Sequence, residues 1–184
     1  MPASTLISLV ISICALALTV YSLYATRRHN RLSVVPHLHG YENESTDDKG
    51  LTYSYDISNN GIGPARIKKF ILLRHDKAFP KGEGNYVRSS ISEHLGNQVN
   101  YEIKFSFNFG YDASLRAGET RRIVEMFFPG VKTGEEDKFW RLLKGMALRI
   151  EYESFYGQKF VFDTRNEEAP GFIQSARANI VHPN

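Results

Sequence analysis

The stretch Leu51-Thr52-Tyr53-Ser54-Tyr55-Asp56-Ile57-Ser58-Asn59-Asn60-Gly61-Ile62-Gly63-Pro64-Ala65 decides the fold class. Its apolar residues Leu51, Tyr53, Tyr55 and Ile57 alternate with Thr52, Ser54 and Asp56. A period of two turns one face of a strand to a core and the other to water. Antiparallel sheets with one solvated face show this pattern, whereas strands covered on both faces read as continuous apolar runs. The residues that follow stop the strand: glycine admits positive φ, and proline removes a backbone donor where a sheet edge begins. Asn60, Gly61, Gly63 and Pro64 are therefore read as a structural turn, with both glycines expected in backbone conformations costly for any residue with a Cβ.

The alternation recurs outward from this stretch. Tyr101, Ile103, Phe105, Phe107 and Phe109 alternate with polar residues, as do Met146, Leu148, Ile150 and Tyr152. Weaker strand signals cover 33–39, 66–75, 121–128 and 158–163, which gives about seven strands, as in a two-sheet sandwich. The unbroken run Phe70-Ile71-Leu72-Leu73 predicts a strand covered on both sides. Gly118, between Ala117 and Glu119, marks a turn into the strand at 121, and Tyr156-Gly157 closes a hairpin. Two short helices interrupt the strands. Thr133 with Glu136 forms a capping box that Lys144 and Gly145 terminate, and Ser90 with Glu93 starts a shorter helix near 91–95. Residues 79–85 read as a mobile loop.

Before the strands, residues 6–25 carry no charged side chain, and at 1.5 Å per residue they reach roughly 30 Å, the thickness of a bilayer's hydrocarbon core. The run is longer than a signal peptide's apolar region, no basic side chain precedes it, and no small-residue cleavage site closes it. A retained single-pass transmembrane helix is expected, with Tyr21 and Tyr24 at the interface. Arg27, Arg28 and Arg31 form a basic juxtamembrane segment over 26–32, and arginines beside a span favour the cytoplasmic side. The expectation is a cell-membrane protein with its N-terminus outside and its globular domain in the cytoplasm. The organisation is then a tail over 1–5, a span over 6–25, the basic segment, a β domain over 33–164 and an aperiodic C-terminal tail over 165–184.

Charge excludes one class of partner. Of the 23 Lys and Arg residues, three flank the span, and the rest balance the 20 Asp and Glu. A nucleic-acid binder carries a basic excess on the domain itself, so no nucleic-acid partner is expected. The single cysteine, Cys14, lies in the span and leaves the domain without a thiol.

The turn Asn59-Asn60-Gly61-Ile62-Gly63-Pro64-Ala65 resembles the N-x-G-x-G-P-A turn of immunoglobulin-like sandwich domains in bacterial membrane and envelope proteins. Leu115-Arg116-Ala117-Gly118-Glu119 is similar to the L-x-x-G-E turn that precedes a later strand in such domains. An apolar anchor followed by Arg28-His29-Asn30-Arg31-Leu32-Ser33-Val34 resembles small anchored bacterial proteins of unassigned function. The resemblance covers about 33–163 and implies a mainly β, immunoglobulin-like antiparallel sandwich, from which the helical insertions depart; it implies no ligand.

The chemistry-bearing residues form no recognisable constellation. His37 and His39 could share one strand face with His75 and Asp76 elsewhere, but an H-x-H pair is a weak metal signal. There is no G-x-S-x-G, no H-E-x-x-H and no phosphate loop. No catalytic residue, cofactor or metal is assigned, and an enzyme is not expected. Phe139 and Trp140 are adjacent on a helix and cannot share one narrow stripe; either both pack over an open end of the sandwich, or one is exposed and the pair marks a candidate partner contact. The expected role is a membrane-tethered binding or scaffold module that contacts the bilayer and a protein partner or a second copy, as an accessory subunit of a membrane complex. The alternative is a ligand-sensing effector whose domain controls the helix, with Ser8, Ser12, Ala15 and Thr19 at small-residue spacing.

Overall fold

The computed structural model describes residues 2–32, 34–80 and 84–165. In chain order they form α1 (Ala3–Leu32), β1 (Leu38–Asp47), β2 (Gly50–Asn59), β3 (Ala65–Arg74), β4 (Lys77–Ala78), α2 (Tyr86–Leu95), β5 (Glu102–Ser106), β6 (Ser114–Leu115), β7 (Thr120–Pro129), α3 (Glu136–Leu143), β8 (Met146–Glu153) and β9 (Lys159–Asp163). The chain is mainly β. One antiparallel sheet is ordered β1-β2-β7-β5; the other is ordered β4-β3-β8-β9, with β6 beside the start of β3. The excess over the expected seven or so strands consists of β4 and β6, of two residues each.

The alternation read from the sequence sets the core. Leu51, Tyr53, Tyr55 and Ile57 on β2 face Ile67, Phe70 and Leu72 on β3 and Leu148 and Ile150 on β8, all within one buried cluster. On β3 Phe70 and Leu72 enter the core; on the other face Leu73 is buried beside Ala147 but Ile71 is half-buried, so the expected cover on both sides is reached only at Leu73. Tyr86 fastens α2 across the second sheet: its hydroxyl accepts from the Leu72 N–H at 3.2 Å and lies 3.2 Å from the Phe79 carbonyl oxygen.

The 30-residue α1 is long and apolar enough to span a membrane. It continues past the charge-free run, so Arg27, Arg28 and Arg31 lie on its last turns. Ser12 donates to the Ser8 carbonyl and Thr19 to the Ala15 carbonyl, both at 2.8 Å. These hydroxyls are satisfied within their own helix, as an apolar surrounding demands.

Several expectations need correction. The first strand is Leu38–Asp47 and not 33–39, since Pro36 has no N–H for a ladder and residues 34–37 instead wrap the β2–β3 turn. The strand through 101–109 is cut short. A register shift between Ile103 and Phe105 against β7 turns Phe105 outward, and Phe107 and Phe109 lie beyond the strand with rings 5.2 Å apart, edge to face.

Neither expected helix start holds. Asn85 caps α2 by accepting from the Arg88 N–H at 3.1 Å, which places the cap inside the expected loop, while Ser90 is buried mid-helix. Glu135 is the N-cap of α3, because a turn through Gly134 at φ 91° carries the chain past Thr133 before the helix begins. Arg165 belongs to the fold, bonding to Asp163 at 2.5 Å and Asp76 at 2.6 Å. The rest of the expected C-terminal tail, 166–184, lies outside the described residues.

Candidate functional site

The turn after β2 is organised by a residue the sequence reading passed over. Asn59 is wholly buried. Its Oδ1 accepts from the His37 N–H at 3.1 Å and the Gly61 N–H at 3.1 Å, and its Nδ2 donates to the Gly63 carbonyl at 2.8 Å and the Leu115 carbonyl at 3.0 Å. A carboxamide offers two donors and about two acceptor sites, so this side chain is fully used. Its backbone adds two bonds, from its N–H to Glu119 O and from the Gly118 N–H to its own carbonyl. One residue thus joins the segment before β1, the β2–β3 turn and β6 through its side chain, and the β6–β7 turn through its backbone.

Asn60, chosen from sequence, is exposed; its side chain bonds the Tyr41 and Ser58 hydroxyls and its backbone N–H donates to the His37 carbonyl. Gly61 and Gly63 do matter, for a reason other than positive φ, which neither adopts. A Cβ on Gly61 would meet His37 N and Val35 O at 2.4 Å, and one on Gly63 would meet Val34 O at 2.0 Å. Gly118 does have positive φ, 73°, with open space around it. Pro64 directly precedes β3.

This knot lies at the end of the two sheets where the chain arrives from α1, because Leu38 at the start of β1 pairs with Asn59. The β8–β9 hairpin reaches the same end, since Glu153 pairs with Arg66 near the start of β3. Four large apolar side chains stand exposed on its loops: Ile62 at 77%, Tyr111 at 85%, Phe155 at 68% and Tyr156 at 44%. Beside Tyr111 a cleft of about 220 Å³ is lined by Lys68, Phe70, Tyr86 and Phe109. Lys68, on the cleft wall, bonds Asp112 at 2.5 Å.

The opposite end is closed by α2 and α3. Phe139 is buried, with its ring 4.5 Å from Phe128 and 5.3 Å from Tyr53. Trp140 is half-buried, edge-on to Tyr53 at 5.6 Å. The candidate partner contact drawn from these two rings is thus a plug over the core. His37 and His39 sit at the start of β1 and His75 at the far end of β3, so the sheets hold them apart.

At the plugged end His94 is buried, and its Nε2 lies 2.9 Å from the Leu142 carbonyl oxygen. A carbonyl only accepts, so Nε2 carries a proton and donates to it. Burial lowers the pKa of this imidazole; the Leu142 bond opposes that shift, and Arg74 and His75 add to it. The folded pKa lies below the unfolded one, so the unfolded chain binds the proton first. Stability is full above about pH 6.5 and is lost as pH falls toward the folded value. The expected result is a denaturation midpoint that declines from about pH 7 to pH 5 and a flatter profile for His94→Gln. Equal slopes in the two proteins would remove His94 from the account.

The sheet edges differ in how they are protected. β5 and β9 have five residues each, β5 with a bulge, and β4 has two. β1 runs ten residues against β2 without a register shift and contains neither Pro nor Lys. The Asn60 N–H bonds the His37 carbonyl, so Leu38 and Asn59 form a non-hydrogen-bonded pair. It follows that Gly40, Glu42, Glu44 and Thr46 turn their backbone N–H and C=O groups away from β2.

Compared with known families and with curated proteins, the chain matches no family model and no individual protein. The reading of its function rests on its own geometry.

Proposed function

We propose that the chain is a membrane-tethered binding module, an immunoglobulin-like sandwich that recruits an extended segment of a partner protein to the open edge of β1. The strand order supports the architecture: β1-β2-β7-β5 and β4-β3-β8-β9 correspond to the ABED and C′CFG sheets of such domains. The long unbulged edge of β1 is the observation that carries the binding role. Natural sheets blunt their edges with short strands, bulges, Pro or charged side chains; β1 has only the last, its acidic residues, and such an edge can accept a strand of complementary charge. The other described edges are short or bulged; β1 is neither.

Glu42 and Glu44 lie at alternate positions along this edge. Pairing of two β1 edges would bring these carboxylates together, and like charges facing across strands repel. The fitting partner is a distinct chain with Lys or Arg at alternate positions. Ligand sensing is the second reading, and it would use a cleft such as the one beside Tyr111. The three arginines on the last turns of α1 support a cytoplasmic side for this domain.

The test is photo-crosslinking of the full chain in native membranes, with the reactive residue at Asn43 on β1 or at Lys159 on β9. A discrete adduct is expected from Asn43 alone, and Glu44→Pro should remove it. Residue 44 turns its N–H away from β2, so proline there blocks an added strand and leaves the internal ladder intact. An adduct that forms equally from Lys159, or that survives Glu44→Pro, rejects the edge. Protease added outside intact cells should leave the domain uncut, and cleavage there would reverse the orientation.

A further inference from the structure

We propose that the end of the domain facing the tether is a second membrane-contact surface, which docks on the headgroup region of an anionic leaflet. The inference rests on the reading of α1 as a membrane span. Five residues, 33–37, separate α1 from β1, and a fully extended chain of that length reaches about 17 Å. The segment is held closer than that: the Ile62 N–H bonds the Val35 carbonyl at 3.1 Å and the His37 N–H bonds Asn59. Ile62 is thereby fixed beside the tether. α1 itself is about 45 Å long against a hydrocarbon core of about 30 Å, so its arginine-bearing turns occupy the headgroup layer directly before the domain begins.

The exposed apolar residues of this end have the composition of an interfacial surface. Tyr111, Phe155 and Tyr156 are aromatic, Ile62 is aliphatic, and they come from three separate loops that the topology brings to one end. Tyrosine and other large apolar side chains partition into the interface, and basic side chains nearby add attraction to anionic lipid. The acids at this end are already neutralised: Asp112 pairs with Arg66 and Lys68, Glu153 pairs with Lys68, and Glu119 pairs with Arg121. Arg116 and Lys159 form no ion pair with the described residues, which leaves them for lipid phosphate. A protein partner would also fit exposed aromatics, but the short pinned tether leaves that end little clearance for one. The bilayer is the surface already there.

The full chain, with Cys14→Ser, is reconstituted into phosphatidylcholine vesicles with and without phosphatidylserine and carries one environment-sensitive fluorophore. The label is placed at Phe155→Cys, at Ile62→Cys, at Asp48→Cys in the far β1–β2 turn, or at Leu16→Cys within α1. In phosphatidylserine vesicles, lipid-borne nitroxide should quench 155 and 62 at least about threefold more than 48. Removing phosphatidylserine, or making Arg116→Glu with Lys159→Glu, should remove most of that difference. Quenching at 16 with 155 and 62 no more quenched than 48 overturns the docking and leaves the tether standing. No quenching at 16 overturns the tether and the docking together. A label at 155 that is shielded from water yet unquenched by lipid would mean contact between copies and would also overturn the proposal.

Discussion

Replacing Asn59 by alanine is expected to destabilise the domain by about 3–5 kcal/mol, among the largest single effects available in this fold. The change removes no large apolar volume. Its cost comes from the groups left behind: the N–H groups of His37 and Gly61 and the carbonyls of Gly63 and Leu115 all lose their partner. A buried polar group without a partner costs about 1–3 kcal/mol, and entering water would recover part of the total. Against a domain stability of roughly 5–15 kcal/mol, the loss is large enough to read in any denaturation curve. Asn59→Asp should rescue little. A carboxylate keeps the acceptor for His37 and Gly61 but sets an oxygen against the Gly63 and Leu115 carbonyls, where a donor is required. Asn60→Ala, one residue on, touches only surface bonds and should cost under about 1 kcal/mol. Comparable losses for Asn59→Ala and Asn60→Ala in chemical denaturation would show that the knot does not hold the loops.

The contrast between these adjacent asparagines shows where sequence reading succeeded and stopped. Period-two patterning located β2 and β8 closely, and the weaker signals at 66–75 and 121–128 located β3 and β7, because each is a long strand that sends side chains into the core. β1 was missed for a physical reason. It is an edge strand of which only Leu38 and Gly40 are buried, and its remaining residues read as a polar loop. Its existence follows from pairing with β2, a tertiary fact that leaves no periodicity in the strand itself. The register shift in β5 is equally silent: the alternation predicted Phe105 for the core, and one extra residue put it on the surface.

The candidate surfaces were legible in the same uneven way. The turn signal was visible, yet nothing local distinguishes a buried Asn59 from an exposed Asn60, since the carbonyl it serves on Leu115 lies 56 residues along the chain. Phe139 and Trp140 were singled out because helical geometry forbids both on one narrow stripe. In the structure the stripe is wide, with Tyr53 and Phe128 receiving Phe139 while Trp140 packs edge-on to Tyr53. The exposed set Ile62, Tyr111, Phe155 and Tyr156 carried no sequence signal, since these residues become neighbours in kind only when the strand order gathers their loops at one end.

Gly63→Ala should cost more than about 3 kcal/mol, well above Gly118→Ala at about 1–2 kcal/mol. The two glycines differ in mechanism. At Gly118 an added methyl group enters open space, and the penalty is the left-handed backbone alone, φ 73°. At Gly63 the backbone is ordinary, but the methyl carbon would sit 2.0 Å from Val34 O and 2.5 Å from Val34 C. Both are main-chain atoms, so no rotamer change relieves the overlap; the segment before β1 must move away from the turn. That movement breaks the Ile62–Val35 bond and pulls His37 from Asn59. The two sites therefore act on one seam, and their effects cannot add. In an Asn59→Ala background the seam is already loosened, and Gly63→Ala should then cost at least about 1 kcal/mol less than it does alone. Gly118→Val makes the opposite comparison at a site with nothing within 4 Å, where the methyl groups find room and only backbone strain is felt. Denaturation midpoints for the single variants and the double variant check the argument. A Gly63→Ala protein as stable as Gly118→Ala, or full additivity with Asn59→Ala, would mean that the chain before β1 does not lie against this turn.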